Sequence, residues 1–180
     1  MAERATLLVL AAVLGLPAPP DGLRRAVVVH VVDGDTVDVR LGARRERVRL
    51  IGVDAPEAHD SEKLERDARR THRSKAAIEA MGRRASEFTA RRLQNEAVGL
   101  ELDVERRDRY GRLLAYLWLP DGTLFNADIL RAGYAHVLTI PPNVRYASHF
   151  RAIEREARLA GRGLWGYRPS IRRSASRAAA

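Results

Sequence analysis

A five-stranded β-barrel with about three helices packed outside it, an α+β architecture, is the fold class this sequence predicts, and three observations predict it. Between residues 24 and 53, runs rich in Val, Leu and Ile follow one another with turn residues between them. A long stretch rich in Ala, Glu and Arg interrupts that pattern. Two further strand-like segments and two glycine-closed helical segments complete the chain. Period-two alternation bounded by Gly, Asp and Pro marks strands, whereas Ala- and Glu-rich stretches without breakers mark helices.

Each element has its own local reason. The first strand, about 24–32, lies in LRRAVVVHVV and ends at Asp33-Gly34, a strong hairpin signal between β-branched runs. DTVDVRL makes the second strand, 35–41, and after a turn at Gly42 RVRLIGV makes the third, about 46–53. Residues 58–98 are helical in composition, with Gly82 the main breaker. LELDVERRD (100–108) and RLLAYLWL (112–119) read as the last two strands, and Pro120-Asp121-Gly122 as a turn. Asn126 is placed to N-cap a helix ending at Gly133 and to brace neighbouring backbone, and a final helix is expected over 144–159, closed by Gly161 and Gly163. Trp118 and Trp165 read as core or capping aromatics. Barrels of this kind carry oligonucleotide-binding folds, among others.

Composition narrows the function. A chain of 180 residues without internal repeats is one domain, assigned to 23–167. Its formal charge of +9 and pI near 10.8 point to a polyanionic partner. All basic residues but Lys63 and Lys75 are arginine, so the sign of the charge says more than the choice of arginine. The absence of cysteine excludes disulfides, thiolate zinc sites and a cysteine nucleophile. The five histidines show no zinc-binding spacing, and His59-Asp60 alone is a weak pair. Residues 1–20 hold an uncharged run from Ala5 to Leu16, long enough for a secretory signal and short for a membrane anchor, so export is expected, with a buried or interfacial N-terminal helix or an uncleaved tether as the alternatives. The basic tail, 168–180, is expected to be disordered.

The chemistry gathers around three short motifs. In VDGDTVDV, Asp35 shares strand parity with Val37 and Val39 and is expected on the barrel side, where a carboxylate needs a cation or donor. Alone, Asp33-Gly34-Asp35 reads equally as a turn, and an EF-hand fails because the twelfth position is Arg44. RLIGVDAPE sets Asp54 and Glu57 at a strand end, with Pro56 restricting the backbone between them. Three carboxylates so placed suit a hard divalent cation. Arg49 and Arg112, each at the start of a strand, are suited to phosphate because a guanidinium donates two parallel hydrogen bonds and stays charged.

DGDT, RLIGVDAPE, MGRRASEFT, DRYGRLLAYLWL, FNADILRAGYA and GLW occur in that order, and the chain from about 24 to 167 resembles the staphylococcal nuclease family. The resemblance implies a five-stranded OB-fold barrel and a calcium-dependent nuclease acting on DNA and RNA. Asp35 and Asp54 would be the metal ligands, with the backbone carbonyl of Ala55, where other members carry threonine. Glu57 would be the general base, and Arg49 and Arg112 would grip the scissile phosphate. Water would attack in line and leave 3′-phosphate ends. Tyr110, with Arg109 beside it, would contact the substrate. No protein partner is implied, and a monomer is expected. The alternative is a non-catalytic nucleic-acid-binding barrel, which would be expected to lack at least one of Asp35, Arg49, Asp54, Glu57 and Arg112; all five are present.

Two features depart from the family pattern. Thr139 and Pro141 stand near positions where members often carry tyrosines flanking the nucleotide. The stretch 58–80 is longer than the family's loop and carries Arg66, Arg69, Arg70, His72, Arg73 and Lys75, read either as a basic clamp or, preferably, as a solvated helix with internal ion pairs.

Overall fold

In the computed structural model, residues 18–58, 62–71 and 74–166 are described. The signal-like run, the basic tail, His59, His72 and Arg73 lie outside them, and the Arg70 side chain is likewise not described. Among the described residues seven strands form: β1 (Arg24–Val31), β2 (Thr36–Leu41), β3 (Arg44–Leu50), β4 (Val53–Asp54), β5 (Ala97–Glu101), β6 (Leu113–Trp118) and β7 (His136–Val137). The helices are α1 (Glu62–Thr71), α2 (Lys75–Leu93), α3 (Phe125–Arg131) and α4 (Ala147–Leu159), followed by a 3₁₀ turn at Gly163–Trp165. No helix among the described residues is long and apolar enough to cross a membrane.

The five longer strands close a barrel in the order β1-β2-β3-β6-β5, with β5 returning to β1. Alternation drives the closure. Val37 and Val39 of β2, Val48 and Leu50 of β3, and Leu113, Ala115 and Leu117 of β6 are buried, and a strand sends alternate residues to one face. Every pairing is antiparallel except β3 with β6, which runs parallel with Val48 opposite Leu113 and Arg49 opposite Leu114. The outer face of β6 is covered by α4: the rings of Tyr116 and Tyr146 meet edge-on at 4.7 Å. Beneath that helix the buried Glu101 carboxylate accepts hydrogen bonds from the Trp118 indole at 2.7 Å and from the Tyr146 hydroxyl, and Arg145 pairs with it. Trp118 is thus a core aromatic whose one polar atom is satisfied.

Several boundaries differ from the sequence reading. The helical stretch 58–98 is two helices, because Ser74 caps α2 by accepting from the Ala77 amide at 3.2 Å and restarts the chain. The strand expected at 100–108 is β5, which begins earlier and ends at Glu101. From Glu105 the chain is held instead by the Asn143 side chain, which accepts from the Glu105 amide and donates to its carbonyl. The final helix begins at Ala147 rather than 144. The β4–β7 pair, only two residues a side, was too short for periodicity to show.

Asn126 is not an N-cap. Leu124 holds that position, and Asn126 lies inside α3, fully buried. Its Oδ1 accepts from the Leu117 amide at 2.9 Å and its Nδ2 donates to the Ile51 carbonyl at 2.8 Å, tying the helix to β6 and to the turn after β3. Replacing Asn126 by Ala strands a buried donor and a buried acceptor, and a loss of about 2–4 kcal/mol is expected. Urea unfolding of Asn126→Ala checks this, and a midpoint equal to wild type would mean those groups find other partners.

Candidate active site

The site grows from the connection between β1 and β2. Asp33 accepts from the Asp35 amide at 2.9 Å, a tight side-chain turn that points the chain back. Gly34 is needed there for space: a Cβ on it would stand 2.5 Å from the Cβ of Ala55 and 2.9 Å from that of Ala85 on α2. The Thr89 hydroxyl of α2 donates to the Gly34 carbonyl at 2.8 Å. Helix α2 thus presses the turn against the residue after Asp54, which brings Asp35 to the end of β4.

Asp35 is 4% exposed, and cationic, hydroxyl and backbone donors meet its carboxylate. The Ala55 amide donates to Oδ2 at 2.7 Å, and the Thr36 hydroxyl to Oδ1 at 3.0 Å. Arg49 reaches both carboxylates: its Nη2 lies 3.2 Å from Asp35 Oδ2 and 3.1 Å from Asp54 Oδ1. Its Nη1 donates to the Leu50 carbonyl at 2.9 Å and the Val53 carbonyl at 2.7 Å. Three hydrogen bonds and an ion pair to Asp35 therefore fix one largely buried guanidinium, and the register that sets Thr36 opposite Arg49 supplies the proximity.

Sequence-predicted residues thus meet in one cluster: Asp35, Arg49, Asp54 and Ala55. Both carboxylates converge on a single cationic group, and carboxylate oxygens are the donors a hard cation such as calcium takes. No group of three Asp, Glu, His or Cys residues able to hold a metal forms among the described residues, so the three-carboxylate arrangement expected from the sequence is not assembled there. A calcium ion, which takes six to eight oxygens, would draw the remainder from water and substrate.

Glu57 stands three residues beyond Asp54, half-buried, and α2 fixes its backbone from behind. A Cβ on Gly82 would collide with the Glu57 carbonyl group and the Ala58 amide nitrogen. The apparent helix breaker in the sequence is thus the one residue small enough for this contact.

Arg112 precedes β6, and the parallel β3–β6 ladder brings it alongside β3. Asp108, which sequence reasoning passed over, shapes its loop: Oδ1 accepts from the Tyr110 and Arg112 amides at 3.0 Å each, and Oδ2 from Arg112 Nε at 2.7 Å. The Nη groups of Arg112 take no protein acceptor among the described residues. Burial pushes the Asp108 carboxyl up, but the Arg112 guanidinium and the two amides outweigh it and hold it below the usual aspartate range. Tyr110 is exposed, with Arg109 and Arg112 against its ring at 4.7 and 5.4 Å. His136 lies across from Asp54 in the β4–β7 pair, a neighbour that no local motif announced. Thr139 and the 138–140 segment are exposed. Within 58–80, Glu65 pairs with Arg69 inside α1, as the solvated-helix reading expects, and with Lys75 across the break at the start of α2, a contact between helices.

Residues 47–167 match the family model described as staphylococcal nuclease homologue. The chain is 37% identical to the thermonuclease of Staphylococcus intermedius over 139 residues, covering 77% of this chain and 74% of that protein. It is 33% identical to the thermonuclease of Staphylococcus hyicus, covering 77% and 73%. Endonuclease YncB of Bacillus subtilis is 32% identical, with 76% of this chain and 59% of that protein covered.

Gly82→Ala sets two effects against each other. Alanine gains about 1 kcal/mol of helix propensity, whereas pushing against fixed backbone costs about 1–3 kcal/mol. A net loss of stability is expected in a denaturant titration; a more stable variant would show that the contact yields freely. A second outcome concerns acid. Arg47 and Arg45 hold the Asp38 carboxyl below its usual range despite burial, as Arg112 does that of Asp108. Folded values below unfolded ones mean stabilisation that is complete above about pH 4 and disappears as pH falls through the folded values. Unfolding free energy measured from pH 6 to pH 2 is therefore expected to drop below about pH 4, and less steeply in Asp108→Asn.

Proposed function

The chain belongs to the staphylococcal nuclease family, and on that premise we propose that this thermonuclease-like hydrolase cuts DNA and RNA within the chain, with a calcium ion held by Asp35, Asp54 and the Ala55 carbonyl. The observation that carries the reading is the convergence of two carboxylates from separate β-segments on the Arg49 guanidinium, beside the strand that Arg112 opens. Relatives named thermonuclease and endonuclease support the reaction class.

When bound, calcium would supply positive charge to the phosphate oxygens at the point of attack. The protein's own residues account for the rest. Arg49, its plane set by the Leu50 and Val53 carbonyls, donates to a non-bridging oxygen. Arg112, steered through Nε by Asp108, presents its Nη groups to the same phosphate. Charge on those oxygens grows as water adds, so both guanidiniums bind the transition state more strongly than the substrate. Glu57 takes the proton from the attacking water, with Pro56 before it and Gly82 behind it restricting its backbone. The leaving group is the 5′-oxygen, and the products carry 3′-phosphates.

Incubating plasmid DNA and single-stranded RNA with calcium, with magnesium and with chelator tests the proposal. Cleavage of both substrates is expected in calcium and none in chelator. Glu57→Gln should lower kcat by about 10²–10⁴-fold while oligonucleotide affinity stays near wild type. Full activity in that variant would remove the base assignment, and binding without cleavage in millimolar calcium would leave a non-catalytic nucleic-acid-binding barrel.

A further inference from the structure

Besides Arg49, the outer face of the β2–β3 hairpin carries charge that the reaction does not use. Opposite Arg49, Arg47 and Arg45 on β3 stand Thr36, Asp38 and Arg40 on β2. Four arginines therefore share that face with one aspartate, and Arg40 lies directly across from Arg45, a like-charge pairing that costs stability. Such a cost on an exposed sheet face is relieved by a polyanion. Alternate residues of a strand are about 6.7 Å apart, so Arg45, Arg47 and Arg49 form a ladder of cations at a spacing close to that of successive phosphates in an extended polynucleotide.

Asp38 turns two of these arginines into a fixed rack. It is 4% exposed and accepts from Arg47 Nε at 2.8 Å, Arg47 Nη2 at 3.2 Å and Arg45 Nη2 at 2.9 Å. The side chains of Arg47 and Arg45 are themselves 53% and 63% exposed, and their other N–H groups take no protein acceptor among the described residues. One buried carboxylate thus orders two solvent-facing cations, and the trio keeps a net positive charge. Between this rack and the loop that carries Arg112 runs an open groove of about 670 Å³, lined by Asp38, Arg45, Arg47, Tyr110, Gly111 and Arg112. The exposed Tyr110 ring, over which Arg109 and Arg112 now lie, offers a face for an unpaired base when those guanidiniums turn to phosphate.

We propose that this groove is an extended binding track for single-stranded nucleic acid, in which Arg45 and Arg47 take the phosphates next to the one held by Arg49 and Arg112, and Tyr110 stacks on a base between them. The proposal deepens the nuclease reading and rests on it: the track begins where the scissile phosphate would lie. Its chemistry predicts a preference for longer, unpaired strands and a strong dependence on salt.

The test measures binding of fluorescein-labelled single-stranded DNA, a trinucleotide and a 12-mer, in chelator so that nothing is cut. The variant is Asp38→Asn/Arg45→Gln/Arg47→Gln, which removes both cations together with the carboxylate they would leave unpaired. Wild type is expected to favour the 12-mer. The variant should bind the 12-mer roughly tenfold more weakly, and its slope of log affinity against log salt should be shallower by about 0.7 for each phosphate it no longer neutralises. Arg45→Lys/Arg47→Lys should keep the wild-type slope, because it keeps the charge, which a merely structural role for the two guanidiniums would not allow. If the triple variant fails to fold, Arg45→Gln alone, at the more exposed of the two positions, is expected to lower the slope by about 0.7. An unchanged 12-mer affinity and slope in a folded variant overturns the track. Cleavage by wild type in calcium is scored separately, so a protein that binds by length and does not cut would refute the nuclease reading and leave the track standing.

Discussion

The structure turns on a single guanidinium placed between two carboxylates. Asp35 and Asp54 come from segments on either side of the β2–β3 hairpin, and like charges that close in a half-buried pocket are costly unless a cation meets both. Arg49 meets both and is anchored in turn by two main-chain carbonyls. The register of β2 on β3, the pressure of α2 on the Gly34 turn and the sharp exit of the chain at Pro56 all serve that placement. Removing the arginine would leave an uncompensated charge pair.

Much of the site was legible because its parts are local. Asp-Gly-Asp-Thr, Arg-x-x-x-x-Asp-x-Pro-Glu and Asp-x-Tyr-Gly-Arg each compress a turn and a functional group into a few residues, and their order fixes how a barrel brings them together. Burial of Val37, Val39, Val48 and Leu50 follows directly from alternation. What escaped were relations across distance. Nothing near Gly82 hints that its missing side chain makes room for Glu57. Asp38 and Asp108 look like ordinary surface acids until the sheet register and the loop show which arginines each one orders.

Asn126 teaches the same lesson from the other side. Its position before an apolar run obeys the capping rule, yet two buried main-chain groups on β6 and after β3 compete for its amide and win. A residue that can satisfy one exposed helix end, worth about 1 kcal/mol, is better used where it satisfies two groups shut off from water. The short β4–β7 pair and the split between α1 and α2 likewise reflect packing and a cap, which composition averages away.

The parallel β3–β6 pairing has a consequence in time. Arg49 and Arg112 are far apart in the chain, and β6 is the strand that shuts the ring between β3 and β5. Hairpins β1–β2–β3 are local and cheap in loop entropy, whereas recruiting β6 waits on the whole helical excursion. A chain emerging from the ribosome therefore owns the acidic half of its centre well before the second guanidinium arrives, and an unfinished molecule carries only one of its two arginine arms.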